Sequence, residues 1–207
     1  PTPVSGQLTE HELAVVAAPT PHDVFLRHRK FLPRESHVVI VMVADFALDA
    51  LIAFTRGFRA AEVLMRSDKL GAEEAKGLPP AYELAWNHTT LRALRVNPAI
   101  TNLQALYPFP DSVALAERIH AHFGEELAAH LEFARFEGKI TAFGLPLVNF
   151  TTEERLEEIM RIHEDMGAPI FNAHRVTLEE GGMKQTDAVQ LAFKREADPK
   201  GLLNPGK

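Results

Sequence analysis

The run His37-Val-Val-Ile-Val-Met-Val43 carries one polar side chain at its start and none after it. A short, β-branched, uninterrupted apolar run predicts a buried strand. The period then changes. Over residues 45–58 the apolar positions Leu48, Leu51, Ile52 and Phe54 fall at helical spacing, which predicts a helix with those side chains inward, ending near Gly57. Residues 61–65 predict a second strand, residues 67–80 a charged, Gly- and Pro-punctuated surface excursion, residues 82–94 a helix and residues 101–106 a strand. Asp111 stands where it can cap a helix that buries Leu115, Ala116, Ile119 and Phe123 and stops at Gly124. Residues 127–136 and 139–148 flank Glu137-Gly138, a hairpin signal. Thr151 and Glu154 have capping-box spacing ahead of a helix striped by Leu156, Ile159, Met160, His163 and Met166 and ended by Gly167. Residues 169–172 predict a short extended piece, and residues 187–197 a last amphipathic helix stopped by Pro199.

Alternation of this kind predicts the α+β class: an antiparallel sheet with helices packed on one face, an elaborated ferredoxin-like β-α-β-β-α-β order, plus a C-terminal helix and tail. Residues 1–35 lack a sustained period and are rich in Pro, His and charge, so they predict a loosely ordered lead-in with a short helix over residues 10–17. Residues 36–207 form the folded domain.

Composition narrows the classes. The longest apolar run is far too short to span a bilayer, and no secretory leader pattern opens the chain. The chain starts at Pro1 rather than Met, as a processed or trimmed product does. Cysteine is absent, which removes thiol catalysis and thiolate metal sites and suits a cytoplasmic location. A formal net charge of −6, with no Lys/Arg cluster interleaved with aromatics, argues against nucleic acid as a partner. The 12 glycines are scattered, and the single Gly-Gly pair is Gly181-Gly182, so no Gly-rich phosphate cradle is visible.

The closing string Phe193-Lys-Arg-Glu-Ala-Asp-Pro-Lys-Gly-Leu-Leu-Asn-Pro-Gly-Lys207 carries the most specific signal. With the upstream strings Tyr82-Glu-Leu-Ala-Trp-Asn-His-Thr-Thr-Leu-Arg-Ala-Leu94 and Phe171-Asn-Ala-His-Arg-Val-Thr-Leu-Glu-Glu-Gly-Gly-Met183, it resembles the C-terminal part of the FAD-linked oxidase family. That family includes flavoenzymes related to vanillyl-alcohol oxidase and to the D-lactate and D-2-hydroxyglutarate dehydrogenases. The resemblance runs from about Ser36 to the end and covers the substrate, or cap, domain. It implies FAD as cofactor, held mainly by an FAD-binding domain or chain outside this sequence, with Asn204 beside the isoalloxazine ring. It also implies a small-molecule alcohol or hydroxy-acid substrate oxidised by hydride transfer to flavin, and a chain inactive by itself.

Several polar groups are candidates for that chemistry. In Asn172-Ala-His174-Arg175, Arg can hold a carboxylate bidentately and His can take a hydroxyl proton, if an irregular backbone brings both into one pocket. The bland reading is a surface ion pair from Arg175 to Glu179 or Glu180. Trp86-Asn87-His88-Thr89-Thr90 places weak helix formers within a predicted helix, which marks either a substrate-orienting His88 or a buried Trp beside an irregular turn. Lys184 can meet an anionic substrate or flavin N1, against the commoner exposed lysine. Glu180 stands where relatives carry a His, and the His-rich metal motif of the hydroxy-acid enzymes has no counterpart over residues 136–150; these departures weigh against a metal and against a simple D-2-hydroxy acid.

His120 and His122 on a helix diverge too far to share an ion. His130 and Glu132 share a strand face but are two ligands only, and a solvent-facing pair is the expected arrangement. His163 on its apolar stripe predicts a core histidine satisfied by a backbone carbonyl. The alternative to an oxidase cap is a non-catalytic binding or scaffolding subunit, its apolar face covered by residues 1–35 or by a homodimer.

Overall fold

The computed structural model describes residues 13–85, 87–136, 138–172 and 187–203. In chain order the elements are β1 (Leu13–Val16), α1 (Thr20–Val24), β2 (Val38–Val41), α2 (Leu48–Thr55), α3 (Ala72–Ala75), α4 (Asn87–Val96), β3 (Ile100–Asn102), β4 (Ala105–Tyr107), α5 (Ser112–Phe123), β5 (Leu127–Ala128), β6 (His130–Phe136), β7 (Lys139–Gly144), β8 (Leu147–Asn149), α6 (Glu153–Asp165) and α7 (Ala188–Ala197). Five strands pair antiparallel in the spatial order β2-β1-β6-β7-β4, and β3-β8-β5 make a smaller antiparallel sheet. The protein is α+β with an antiparallel sheet and a C-terminal helix, as the alternation of periods predicts.

Strand alternation divides the large sheet into two faces. Leu131 of β6, Ala142 of β7, and Ala105 and Tyr107 of β4 share one face, and β1 adds Val15. Against them lie Leu115, Ala116, Ile119 and Phe123 of α5 and Ile159 and Met160 of α6, which together form the main core. The spacing of those helical residues is the reason the two helices form the layer over this face. Gly124, at φ 56°, ends α5 in a conformation that favours glycine. On the opposite face, at the β1–β2 end, Val16 and Val38 pack with Val24 of α1, Phe25 just after it, Leu84, and Ala93 of α4.

The hairpin forms where Glu137-Gly138 predicts it, with β6 and β7 in register from Leu131↔Gly144 to Phe136↔Lys139. Other details differ. Residues 10–17 were expected as a helix in a loose lead-in, yet Leu13–Val16 is an interior strand between β2 and β6. The sheet supplies hydrogen bonds on both sides of that short apolar piece, a tertiary gain that local propensity does not register. Residues 13–16 are therefore part of the large sheet. The expected strand over residues 101–106 is two strands, β3 and β4, in different sheets. Residues 61–66 are in neither helix nor strand and pair with no strand among the described residues, and α2 buries none of its residues, Phe54 included.

Two caps also shift. Thr152, not Thr151, caps α6, its hydroxyl accepting from the Arg155 N–H at 3.2 Å. Asp111 occupies the start of α5 without a side-chain cap bond, while the buried Ser112 hydroxyl donates to the Tyr107 carbonyl at 2.7 Å.

Gly144 lies directly under the Tyr107 ring. A Cβ built on it would stand 2.0 Å from the ring edge, and Tyr107 is only 1% exposed and cannot swing away. Burial also pushes the Tyr107 phenol well above its ordinary pKa, so the ring stays neutral. Gly144→Ala is expected to destabilise the protein by about 1–3 kcal/mol through overpacking. Urea denaturation checks this, and an unchanged midpoint would mean that the β4–β7 contact is loose.

Candidate functional site

The most unusual chemistry in the described residues sits on β6. Residues two apart on a strand share a face, and His130 and Glu132 turn theirs away from α5 and α6. The His130 Nε2 and Glu132 Oε1 atoms are 2.6 Å apart, and both side chains are 0% exposed. Their cross-strand neighbours are Val16 and Ala14 on β1, with Phe143 on β7 opposite Glu132. The expectation of a solvent-facing pair is corrected. With β1 on one side, β7 on the other and the α1–α4 layer at that end, β6 is an interior strand.

A carboxylate accepting from Nε2–H holds the imidazole in the tautomer whose Nδ1 carries the lone pair. Among the described residues the His130 Nδ1 has no hydrogen-bond partner. A carboxylate-oriented imidazole with an open nitrogen has the make-up of a general base. It is also a poor way to gain stability, because desolvating such a pair cancels much of its attraction.

The other candidates fall in different places. His88 lies in the first turn of α4, part-exposed, its Nδ1 3.8 Å from Glu83 Oε2. The weak helix formers around it do not interrupt a helix. They open one, because α4 starts at Asn87 after a 3-10 turn at Ala81–Leu84. The buried Thr89 hydroxyl donates to the Leu84 carbonyl and ties that turn to the helix. His174, Arg175, Lys184 and Asn204 lie outside the described residues, as does Trp86. Asn172, which leads into the His174-Arg175 string, is half-buried and donates from Nδ2 to the Met160 sulfur at 3.5 Å. It borders a groove of about 510 Å³ between β3 and α6, floored by Ile100, Leu103, Leu156 and Met160.

The two histidines of α5 part company, His120 facing the Leu127 carbonyl at 3.4 Å and His122 lying edge-on to Phe123 at 4.7 Å. Among the described residues, no three His, Cys, Asp or Glu side chains gather closely enough for a metal ion. His163 is the core histidine its position predicts. Its Nδ1–H donates to the Ile159 carbonyl at 2.8 Å and its ring stacks on Phe123 at 5.3 Å.

A flavin pyrophosphate needs backbone N–H groups that can approach it closely. The described glycines with positive φ, at 77, 124, 138, 167 and 201, stand singly, and Gly144 is filled by Tyr107. Among the described residues, then, no run of glycines offers such an approach. No protein-family model matches the chain, and no curated protein matches it. Among the described residues no helix is long and apolar enough to cross a membrane.

Two measurements follow from these geometries. Removing one partner of the β6 pair, as in Glu132→Ala, is expected to cost about 3–5 kcal/mol, whereas an apolar pair, His130→Leu with Glu132→Leu, costs far less. A thermodynamic cycle over the four proteins checks the coupling, and additive effects would show that the contact is not formed.

Burial holds the His163 imidazole below its ordinary pKa, and burial followed by the nearby Arg92 charge does the same for His28. Both resist protonation in the fold more than in the unfolded chain, which takes up protons below about pH 6.5. Unfolding then binds protons, so this stability is complete above that pH and is lost as the pH falls. The denaturant midpoint should be lower at about pH 5.5 than at about pH 7.5, and His163→Phe should narrow the gap. An equal gap in the variant would remove His163 from the account.

Proposed function

We propose that the chain is the substrate, or cap, domain of an FAD-dependent oxidoreductase that oxidises an alcohol or 2-hydroxy acid by hydride transfer to flavin. One observation carries this reading. Within the segment bearing the resemblance, residues 187–203 form a regular helix and turn with little of the described protein against them. Asp187 opens α7 with a capping box, its carboxylate accepting from Gln190 N–H at 2.7 Å. After the helix the Asp198 carboxylate accepts from the Leu202 and Leu203 N–H groups, both at 2.8 Å. Lys194 Nζ donates to the Leu203 carbonyl at 2.9 Å, and Gly201 turns at φ 64°. Those two N–H groups hold the Asp198 carboxyl below its usual range.

The helix nevertheless buries none of its residues. Val189 is 77% exposed, Phe193 69%, Leu202 73% and Leu203 64%. A ten-residue helix is marginal in water without a packed face, so a preformed helix and turn with this much apolar surface suits docking onto a second domain. In the cap reading that domain is the one that binds FAD, and Asn204, the next residue, meets the flavin ring.

The chain's own part is to bind and orient substrate and to take its hydroxyl proton. His174 is the proposed base, with Arg175 and His88 orienting the substrate and Lys184 near the flavin or an anionic group. The His130–Glu132 pair is a second proton-accepting arrangement within the same domain. The exposed faces would serve a non-catalytic scaffolding subunit equally well, and a cytoplasmic location and a homodimer stay part of the proposal.

The test uses protein expressed from the whole reading frame, supplied with FAD and desalted. Expected is a retained flavin absorbance band that bleaches anaerobically with an alcohol or 2-hydroxy acid. His174→Asn should slow bleaching by about 100-fold or more, the usual loss on removing a general base. Asp198→Ala should weaken flavin retention while leaving the denaturation midpoint of the domain in place. Protein that keeps no flavin, or flavin that no such substrate bleaches, would sink the oxidase reading and leave the scaffolding one.

A further inference from the structure

We infer that residues 61–66 are a strap that closes the open edge of the large sheet by docking along β2 as a sixth strand. Three observations converge on it. First, β2 is a four-residue edge strand whose outer side has no strand partner among the described residues. The run Val38-Val-Ile-Val-Met-Val43 contains no Lys, no Pro and no bulge, and such an edge is a template for another strand. Val39 is 56% and Met42 51% exposed, and among the described residues nothing pairs with the outer side of β2.

Second, the helix that follows β2 is unseated. None of the α2 residues is buried, and Phe54 and Phe58 pack on each other edge to face, 5.0 Å apart, while both remain more than half exposed. Phe46, just before α2, is more exposed still. Third, residues 61–66 have strand chemistry without a strand partner. Ala61, Val63 and Met65 alternate with Glu62, Leu64 and Arg66, the stretch is in no helix, and Arg66 at its end has β-region dihedrals, φ −132° and ψ 123°.

The segment also lies close to its seat. Leu64 packs against the cluster that contains Val38, and Ile40 of β2 packs against the same cluster. At the far end the Arg66 guanidinium is held by the Asp68 carboxylate at 2.7 and 3.0 Å. Strand, helix and strand in that order are joined by a connection long enough for a parallel crossover, which needs about a dozen residues or more. Docking the strap would pair the edge backbone and draw α2 onto the sheet. One movement would thus cover both the exposed edge and the exposed phenylalanines. A second copy of the chain, pairing β2 to β2, is the competing occupant.

Amide hydrogen exchange on the intact chain tests this, run at two protein concentrations with sedimentation to report association. Docking predicts that amides of residues 61–66 and the outer amides of β2 exchange at least about tenfold slower than an open segment would. The slowing should be independent of concentration. Val63→Pro removes one N–H of the strap and should release both sets together while the β6–β7 amides stay protected. Exchange at open-chain rates in both segments would overturn the proposal. So would β2 protection that grows with concentration, accompanies a dimer and survives Val63→Pro. Should the proline variant also lose β6–β7 protection, the wild-type pattern at the two concentrations decides alone.

Discussion

The double burial of β6 governs the rest of this structure. Its two neighbours, β1 and β7, take up its backbone hydrogen bonds on both sides, so its side chains must go up or down into two separate interiors. Leu131 enters the core under α5 and α6. His130 and Glu132, one step out of phase, enter the other layer. A one-residue slip would exchange the two sets and place an imidazole and a carboxylate against Ile119 and Ile159. The turn at Gly138, which takes φ 77°, and the close seat of Tyr107 on Gly144 oppose that slip.

Around this centre, stability and exposure are unevenly distributed. The α5–α6 side is a continuous apolar layer closed by well-defined helix ends. The β2–α2 side and α7 show the reverse: regular local structure, capped by a side chain only in α7, and apolar side chains facing water. Short helices hold their shape through caps and local bonds, but they gain most of their stability from a packed face. The two exposed regions are therefore where further contacts have the most to contribute, whether from the chain's own strap or from a docked domain.

The candidate chemistry divides along the same line. His163 shows how a histidine can be wholly structural, with one nitrogen on a helix carbonyl and its ring on Phe123. The His130 ring is as deeply buried, and each of the two rings keeps one nitrogen without a partner among the described residues, but His130 is oriented by a carboxylate. Burial alone does not separate the two cases; the chemistry of the partner does.

Local pattern was enough for much of the fold. The spacing of Leu115, Ala116, Ile119 and Phe123, the stripe through Ile159 and His163, the hairpin and the stops at Gly124 and Gly167 are short-range properties, set by side-chain period and by backbone conformations that favour glycine. What only the tertiary structure decided was non-local. That residues 13–16 are a strand depends on the open flanks of β2 and β6, and that β6 is interior depends in turn on residues 13–16. The burial of His130 and Glu132 follows from both, so the pair looked like surface when its strand was considered alone. Residues 61–66 have the composition of a strand but not the pairing, because a strand is completed by a neighbour and not by its own sequence. Periodicity tells a segment which side to bury; only the assembled sheet determines whether anything lies there to bury it against.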